Sequence, residues 1–258
     1  MKRKKRIGTA AKAVGCAVLL MISLFPIYWL LAMAIRPTDE MRGHIALIPQ
    51  SLTGMHFAQL FTSENFGQAI MNSLQTTFGS LIISLLAGIC AAYVIARRRF
   101  RFGLKKPMTY WVLLVRVLPP VAFTIPLYIM FNRLGVLNTK LPVMLACVLI
   151  NVPLIIWFLI SFFQDLPEEI EESAKVDGAT EWQLFCKIVL PLVAPGIAAV
   201  SMLSFMYAWN EYTYTVIFTR IPANNTVPLA LALLNTEDNL TNFGLVAAGG
   251  VISVIPIT

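Results

Sequence analysis

Arg116 and Glu211 are ionisable residues that lie within long apolar stretches of the sequence. If those stretches cross a membrane, a charged side chain is costly there, and it usually faces a helix-bundle interior or an aqueous cavity. The guanidinium of Arg116 could bind a polar solute or pair with an acid. An equally good interpretation is that its long side chain reaches back to the membrane interface.

Polar and aromatic residues surround Glu211 in the run Tyr207-Ala208-Trp209-Asn210-Glu211-Tyr212. Aromatic rings beside amide and carboxylate groups could stack on a sugar and hydrogen-bond to it. An aromatic belt at the outer membrane interface has the same composition, and Trp209 fits it well. Asn151 could simply hydrogen-bond neighbouring helices together. The candidate pathway residues are therefore Arg116, Asn151, Trp209, Asn210 and Glu211.

The sequence contains no enzymatic motif. It has no G-x-x-x-x-G-K-[ST] segment, and no glycine is followed by lysine, so this chain cannot cradle ATP phosphates in a P-loop. Zincin, G-x-S-x-G and kinase patterns are also missing. No two of the four cysteines have C-x-x-C spacing. We expect a chain that is not an enzyme and that holds no cofactor or metal of its own.

The elements that must position these residues are membrane spans. Hydrophobic residues make up 58% of the 258 residues and charged residues only 13%, whereas soluble domains have about 45–50% and about 25%. A crossing helix needs about 20 apolar residues. The sequence therefore predicts an all-α membrane protein that forms one membrane domain, 1–258, with six transmembrane helices. They lie near 10–35, 69–96, 108–131, 141–164, 196–219 and 242–258, and the sixth, with only 17 residues, is predicted to be truncated.

Orientation follows from the basic residues in short loops. The N-terminal arm carries five Lys or Arg residues and the 97–106 loop carries six, so both are predicted to be cytoplasmic. Alternating the remaining spans places the N-terminus and the 165–195 segment inside the cell and places 36–68, 132–140 and 220–241 outside. The net charge of +7 is explained by the same flanking pattern, and we expect no nucleic-acid partner.

The 165–195 segment between the fourth and fifth spans contains seven of the thirteen acidic residues. An acidic first turn follows Pro167, which is typical of a helix start. Gly178 supplies a left-handed stop about three turns later. Thr180 and Gln183 then have the spacing of a capping box, which opens a second helix.

The second helix of this segment has an apolar face. The face consists of Trp182, Phe185, Ile188 and Val189. We expect Pro191 and Pro195 to end the helix. Two short helices joined at a glycine turn are either a docking element for a soluble partner or an amphipathic hairpin lying on the membrane.

Glu172-Ser173-Ala174 is followed by Gly178 and then by Ile188-x-Leu190-Pro191. This spacing resembles the cytoplasmic loop of the permease subunits of binding-protein-dependent ABC importers, with Ser173 in place of the first alanine. The longer run 174–191 is similar to the carbohydrate-type branch of that family. Two further runs resemble sequence motifs of that family, namely Pro119-Pro120 and Ala208-Trp209-Asn210-Glu211. The resemblance therefore extends from about residue 10 to the end.

The resemblance implies a mechanism and partners. Two permease subunits would form the pathway, two ATPase subunits would carry ATP and magnesium beneath them, and an external solute-binding protein would deliver a sugar, oligosaccharide, polyol or sugar phosphate. The protein would be a multi-pass protein of the cell inner membrane, surrounded by lipid. ATP-driven closure of the ATPases would move the loop and shift the spans between inward- and outward-facing states. The implied coupling residues are Glu172, Ser173, Ala174, Asp177, Gly178, Ala179, Phe185, Ile188, Leu190 and Pro191.

Two alternatives remain open at the level of sequence. One is a gradient-driven secondary transporter that uses Arg116 and Glu211 as an ion-coupled pair, although the inverted repeats of such proteins are not visible here. The other is an ABC permease of the same architecture for a different cargo, such as an amino acid or a metal complex.

Overall fold

The computed structural model describes residues 2–41, 46–97, 105–234 and 243–258. Within these ranges the regular elements are helices, and no strand occurs. The α-helices are α1 Lys2–Ala34, α2 Met55–Thr62, α3 Phe66–Arg97, α4 Lys105–Val117, α5 Thr124–Arg133, α6 Leu141–Gln164, α7 Glu168–Val176, α8 Glu181–Gln183, α9 Leu190–Trp209, α10 Thr213–Phe218, α11 Val227–Leu233 and α12 Phe243–Val254.

Four helical stretches in the described ranges are long and apolar enough to cross a membrane. They are Lys12–Ala34, Phe66–Arg97, Leu141–Gln164 and Glu181–Trp209. The all-α prediction is confirmed, and the first, second and fourth predicted spans each fall on one long helix. The basic 97–106 loop, which determined the predicted orientation, lies mostly outside the described residues.

The third predicted span, 108–131, is not one continuous helix. It consists of α4, a 3-10 turn at Pro120–Phe123, and α5. Two consecutive prolines explain the break, because neither has an N–H donor and a residue before proline avoids helical angles. Pro119 accordingly has φ −64° and ψ 137°, an extended conformation.

The prediction that Pro191 and Pro195 end the second loop helix is wrong. After α8 the chain forms a π-helical segment, Leu184–Val189, and continues directly into α9. A π segment of this kind occurs as a single turn inside a longer α-helix, and Pro191 follows it in the first turn of α9. The predicted fifth span also ends early, at Trp209 rather than 219, and the separate helix α10 follows.

The sixth predicted span contains the 12-residue helix α12, followed by a 3-10 turn at Ile255–Ile257. Residues 235–242 before it lie outside the described ranges.

The chain separates into two compact units. One comprises the segment up to Gly67 together with Val227–Thr258, and in it α12 packs against α1, α2 and α11. The other is Gln68–Thr226, in which α6 packs against α4, α9 and α10. The main core of this second unit joins α3, α6, α7 and α9. Its fully buried side chains include Ile155, Leu159, Phe163 and Leu184.

Candidate coupling and translocation sites

The turn between α7 and α8 has the geometry that the sequence predicts. Helix α7 begins after Pro167, with Glu168, Glu169 and Glu171 in its first turn, where carboxylates favour the positive end of the helix dipole. Gly178 has φ +87°, which most side chains avoid. No atom lies within 4 Å of where its Cβ would stand, so the need for glycine is conformational.

The capping box is present. The side chain of Thr180 accepts a hydrogen bond from the backbone N–H of Gln183 at 3.2 Å, and the Gln183 side chain accepts one from the Thr180 N–H at 3.0 Å. Both bonds are local in sequence, which is why the residue spacing was sufficient to predict them.

The inner face of this segment packs on the helical core. Ala174, Leu184, Phe185 and Val189 are buried. Trp182, which the sequence predicts on the same face, is 71% exposed, and its ring centroid lies 6.2 Å from that of Phe185. Among the implied coupling residues, those that face outward are Glu172, Ser173, Asp177, Gly178 and Pro191. Most of these exposed residues lie close to the glycine turn.

An ion pair that sequence reasoning missed joins this segment to the end of α3. The Nε of Arg97 lies 2.7 Å from Oε1 of Glu171, and both side chains are largely buried, at 10% and 13% exposure. The Nη2 of Arg97 also donates to the carbonyl oxygen of Leu166 at 2.9 Å, and Tyr93 Oη donates to Oε2 of Glu171 at 3.4 Å. We call Tyr93, Arg97 and Glu171 the α3–α7 latch.

A cleft of about 710 Å³ lies beside the latch. Its lining includes Cys90, Lys175, Glu181, Trp182 and Phe185. Lys175 Nζ is 2.9 Å from Glu181 Oε1, and its hydrogen bond to Glu181 raises the pKa of Lys175. This second pair is exposed, so we expect it to contribute little to stability.

The carboxylate of Glu211 accepts hydrogen bonds from the first turn of α10. Its Oε1 accepts a hydrogen bond from the Tyr214 N–H at 2.6 Å, and its Oε2 accepts bonds from the N–H and hydroxyl of Thr215 at 3.1 and 2.9 Å. A carboxylate at a helix N-terminus satisfies backbone donors that have no partner in the helix. This arrangement gives Glu211 a structural task that its position in the sequence did not indicate.

Asn151 and Glu211 meet at a small cavity. Asn151 is buried, and its Nδ2 donates to the Ser204 carbonyl oxygen at 3.2 Å, whereas its Oδ1 accepts no hydrogen bond from the described residues. The cavity has a volume of about 30 Å³ and is also lined by Cys147 and Tyr207. That is enough for a single water molecule, and too small for a sugar.

Trp209 and Asn210 do not line this cavity in the described part of the chain. Trp209 is buried and stacks on Phe205, with ring centroids 5.9 Å apart. Asn210 is exposed and donates to the Met206 carbonyl oxygen at 2.9 Å. Arg116 lies in the last turn of α4, and its side chain is outside the described part of the structure.

A larger cavity, about 190 Å³, opens at the break between α4 and α5. Apolar side chains and Tyr207 line it; the lining residues are Val115, Leu118, Pro120, Phe123, Leu149, Ile150, Pro153 and Tyr207. The sequence predicts no cavity beside the break at Pro119-Pro120. Tyr207 lines both this cavity and the small one.

Comparison with known proteins gives a consistent result. Residues 84–258 match the family described as binding-protein-dependent transport system inner membrane component. The trehalose transport system permease protein SugB of Mycobacterium tuberculosis is 30% identical over 91% of this chain and 85% of its own length. The diacetylchitobiose uptake system permease protein DasC of Streptomyces coelicolor is 32% identical, over 93% and 87% respectively.

Solved structures of similar fold are also known. A bacterial ABC transporter involved in the import of the acidic polysaccharide alginate superimposes with a TM-score of 0.82, at 20% identity, over 99% of this chain and 94% of that one. A bacterial alginate ABC transporter in complex with an alginate pentasaccharide-bound periplasmic protein gives a TM-score of 0.72, at 18% identity, over 98% and 91%. At these identities the likeness establishes the fold.

Proposed function

We propose that this chain, which belongs to the family of binding-protein-dependent transport system inner membrane components, forms half of the pathway of an ATP-driven importer. Within that family it belongs to the carbohydrate-type permeases. The solute would be a sugar, oligosaccharide, polyol or sugar phosphate. The 165–195 segment would couple this pathway to a separate ATPase.

The helix–glycine–helix segment carries the proposal for coupling. Its outer surface is polar around Glu172, Ser173 and Asp177, while its inner face is packed on the core. Since α8 continues through the π-helical segment into α9, a force applied at the glycine turn would be transmitted along a membrane helix. The α3–α7 latch would carry the same force into α3, so one docked partner would move two spans together.

Six crossings are part of this proposal. Helices α4 and α5 would cross the membrane together as one broken span, and α12 would belong to the sixth. A broken span at membrane depth is tolerated where it lines a cavity, and the 190 Å³ cavity at the Pro119-Pro120 break supports this arrangement.

The partners in this proposal are a second permease subunit, a pair of ATPase subunits that bind ATP and magnesium, and an extracytoplasmic solute-binding protein. The family name and the complex formed by the alginate transporter support a binding-protein partner. The protein would lie in the inner membrane with its N-terminus in the cytoplasm, where the Lys/Arg pattern places it.

A pull-down of the tagged full-length protein with a matched pair of glycine variants tests coupling. Gly178→Trp changes a glycine at φ +87° in the predicted docking surface, and Gly135→Trp changes one at φ +67° in a predicted outer loop. Neither glycine has an atom within 4 Å of its Cβ position, so backbone strain is similar in both. We expect mass spectrometry to find an ATPase and a second permease with the unchanged protein and with Gly135→Trp, and the ATPase to be lost with Gly178→Trp.

Two other results would count against the proposal. Purification of the chain alone in every sample would contradict the ATPase and the second permease as stable partners. Equal recovery of the ATPase with both variants would remove the assigned docking surface, while leaving family membership intact.

A further inference from the structure

Residues 46–54, which we call the 46–54 segment, fold back along the C-terminal end of α1. The Thr53 N–H donates to the Ile35 carbonyl oxygen at 2.7 Å, and Tyr28 Oη donates to the Leu47 carbonyl oxygen at 2.8 Å. Tyr28 lies six residues before the end of α1 at Ala34, which is about 9 Å along a helix at about 1.5 Å per residue. The segment therefore returns to the level of the last two turns of a membrane helix.

Two charged side chains hold the 46–54 segment in this position. Arg36 is buried, with its guanidinium carbon 5.8 Å from the centroid of the Trp29 ring, and its Nη2 donates to the Ala46 carbonyl oxygen at 2.6 Å. The carboxylate of Glu40 accepts hydrogen bonds from the N–H groups of Gln50 and Ser51, at 3.1 and 2.8 Å, and from the Ser51 hydroxyl. The segment is thus fixed at both ends, and the side chains between these bonds have a defined direction.

The side chains that this fixed segment presents are apolar. Leu47, Ile48 and Leu52 are 63%, 74% and 73% exposed. The whole stretch 46–62 contains no Asp, Glu, Lys or Arg. Contiguous exposed apolar residues on a protein surface mark a site that contacts a partner or a membrane.

The neighbouring surface of α1 indicates that the 46–54 segment contacts a membrane and not a protein partner. Leu24, Phe25, Ile27 and Leu31 on α1 are exposed and belong to the candidate span Lys12–Ala34, so a membrane would surround them with lipid. Tyr28 and Trp29 are the residue types enriched where the hydrocarbon meets the headgroups. Because Leu47 is bonded to Tyr28, the apolar side chains of the segment continue this lipid-facing surface.

We propose that the 46–54 segment is an interfacial membrane anchor whose Leu47, Ile48 and Leu52 insert into the lipid leaflet around the C-terminal end of α1. The segment lies on the membrane as an amphipathic element does, with its apolar side chains at the boundary between headgroups and acyl chains. A water-soluble partner would have to reach below the end of α1 to cover the same side chains. The proposal requires α1 to cross the membrane and is independent of ATPase coupling and of the solute.

Site-specific fluorescence tests this proposal on the full-length chain. The four native cysteines are replaced by alanine, and a single cysteine at Ile48→Cys is labelled with an environment-sensitive fluorophore. Gln50→Cys is the matched control, because Gln50 is exposed two residues away and only its backbone N–H is used by Glu40. Both proteins are inserted into vesicles of phosphatidylethanolamine and phosphatidylglycerol that contain nitroxide lipids.

We expect the fluorophore at position 48 to emit at shorter wavelength and to be quenched several-fold more strongly by the lipid nitroxides than the one at position 50. Iodide in the aqueous phase should show the opposite preference. Nitroxides near the headgroups should quench position 48 more strongly than nitroxides near the acyl ends.

Two results would overturn the proposal. One is equal quenching at the two positions, with iodide reaching both. The other is a fluorophore at position 48 that remains in water until a solute-binding protein is added, which would make the segment a protein-docking surface. Neither result depends on ATP hydrolysis, so a failure here would leave the coupling proposal standing.

Discussion

At the level of single residues, the α3–α7 latch shows what sequence reasoning could not reach. Arg97 was interpreted as a topology signal and Glu171 as an acid in a helix start, and both interpretations used only local sequence. Their pairing spans 74 positions and depends on the packing of α3 against the loop. The Thr180–Gln183 capping box was predictable because its two bonds connect residues three positions apart.

Replacing Arg97 with glutamine should weaken coupling between ATP hydrolysis and transport. The change would leave the largely buried carboxylate of Glu171 without its cation, and removing one partner of such a pair costs more than the pair contributes. We expect solute-stimulated ATPase activity of the reconstituted importer to fall about tenfold, equivalent to about 1.4 kcal/mol. An exposed hydrogen bond in the predicted outer loop, from Lys140 Nζ to Gln75 Oε1 at 2.6 Å, offers a control: Lys140→Gln should change the activity less than twofold. Equal effects of the two changes would show that the latch has no special role.

Glu211→Ala should destabilise the protein through α10. The N–H groups of Tyr214 and Thr215 would lose their acceptor, and loss of a helix cap costs about 1 kcal/mol. We expect a lower unfolding temperature in detergent, with solute affinity close to that of the unchanged protein. A large loss of affinity at unchanged unfolding temperature would instead assign Glu211 to the pathway.

At the level of elements, sequence patterns identified the long helices well and their interruptions less well. An unbroken apolar run was sufficient for α3 and α6. The continuation of α8 into α9 was missed because prolines usually end helices, and the π segment before Pro191 depends on packing of Leu184 and Val189 in the core. The end at Trp209 was missed because apolar sequence continues into α10, and only the tertiary fold shows the break.

A substitution series at Gly178 should separate backbone conformation from steric fit. At φ +87°, with open space at the Cβ position, alanine should cost about 1 kcal/mol and asparagine less, since asparagine tolerates left-handed angles. We expect ATPase coupling and unfolding temperature to rank Gly above Asn, Asn above Ala, and Ala above Val. A packed glycine gives the contrast. A Cβ at position 196 would lie 2.6 Å from Cδ1 of Phe162. Gly196→Asn should therefore lower the unfolding temperature more than Gly196→Ala does.

At the level of the whole molecule, composition fixed the membrane environment and the basic loops indicated orientation. The charge pattern does not determine whether the third predicted span crosses the membrane. A helix broken at Pro119-Pro120 could enter the membrane and leave it on the same side. The distinction matters for function, since the basic 97–106 loop and the predicted docking surface lie on the same side only if α4 and α5 together cross the membrane, with α6 as the next crossing.

Accessibility of paired cysteines should decide this point. In a background with the four native cysteines replaced by alanine, Lys105→Cys precedes the broken span, Thr139→Cys follows it, and Ser173→Cys marks the loop near Gly178. In right-side-out membrane vesicles, a membrane-impermeant maleimide should label position 139 and leave positions 105 and 173 unlabelled until the vesicles are opened. Labelling of 105 and 139 from the same side would turn the broken span into a re-entrant element. Because α6 separates positions 139 and 173, the loop around Gly178 would then face the ATPases only if 105 and 139 were both labelled in intact vesicles while 173 stayed protected.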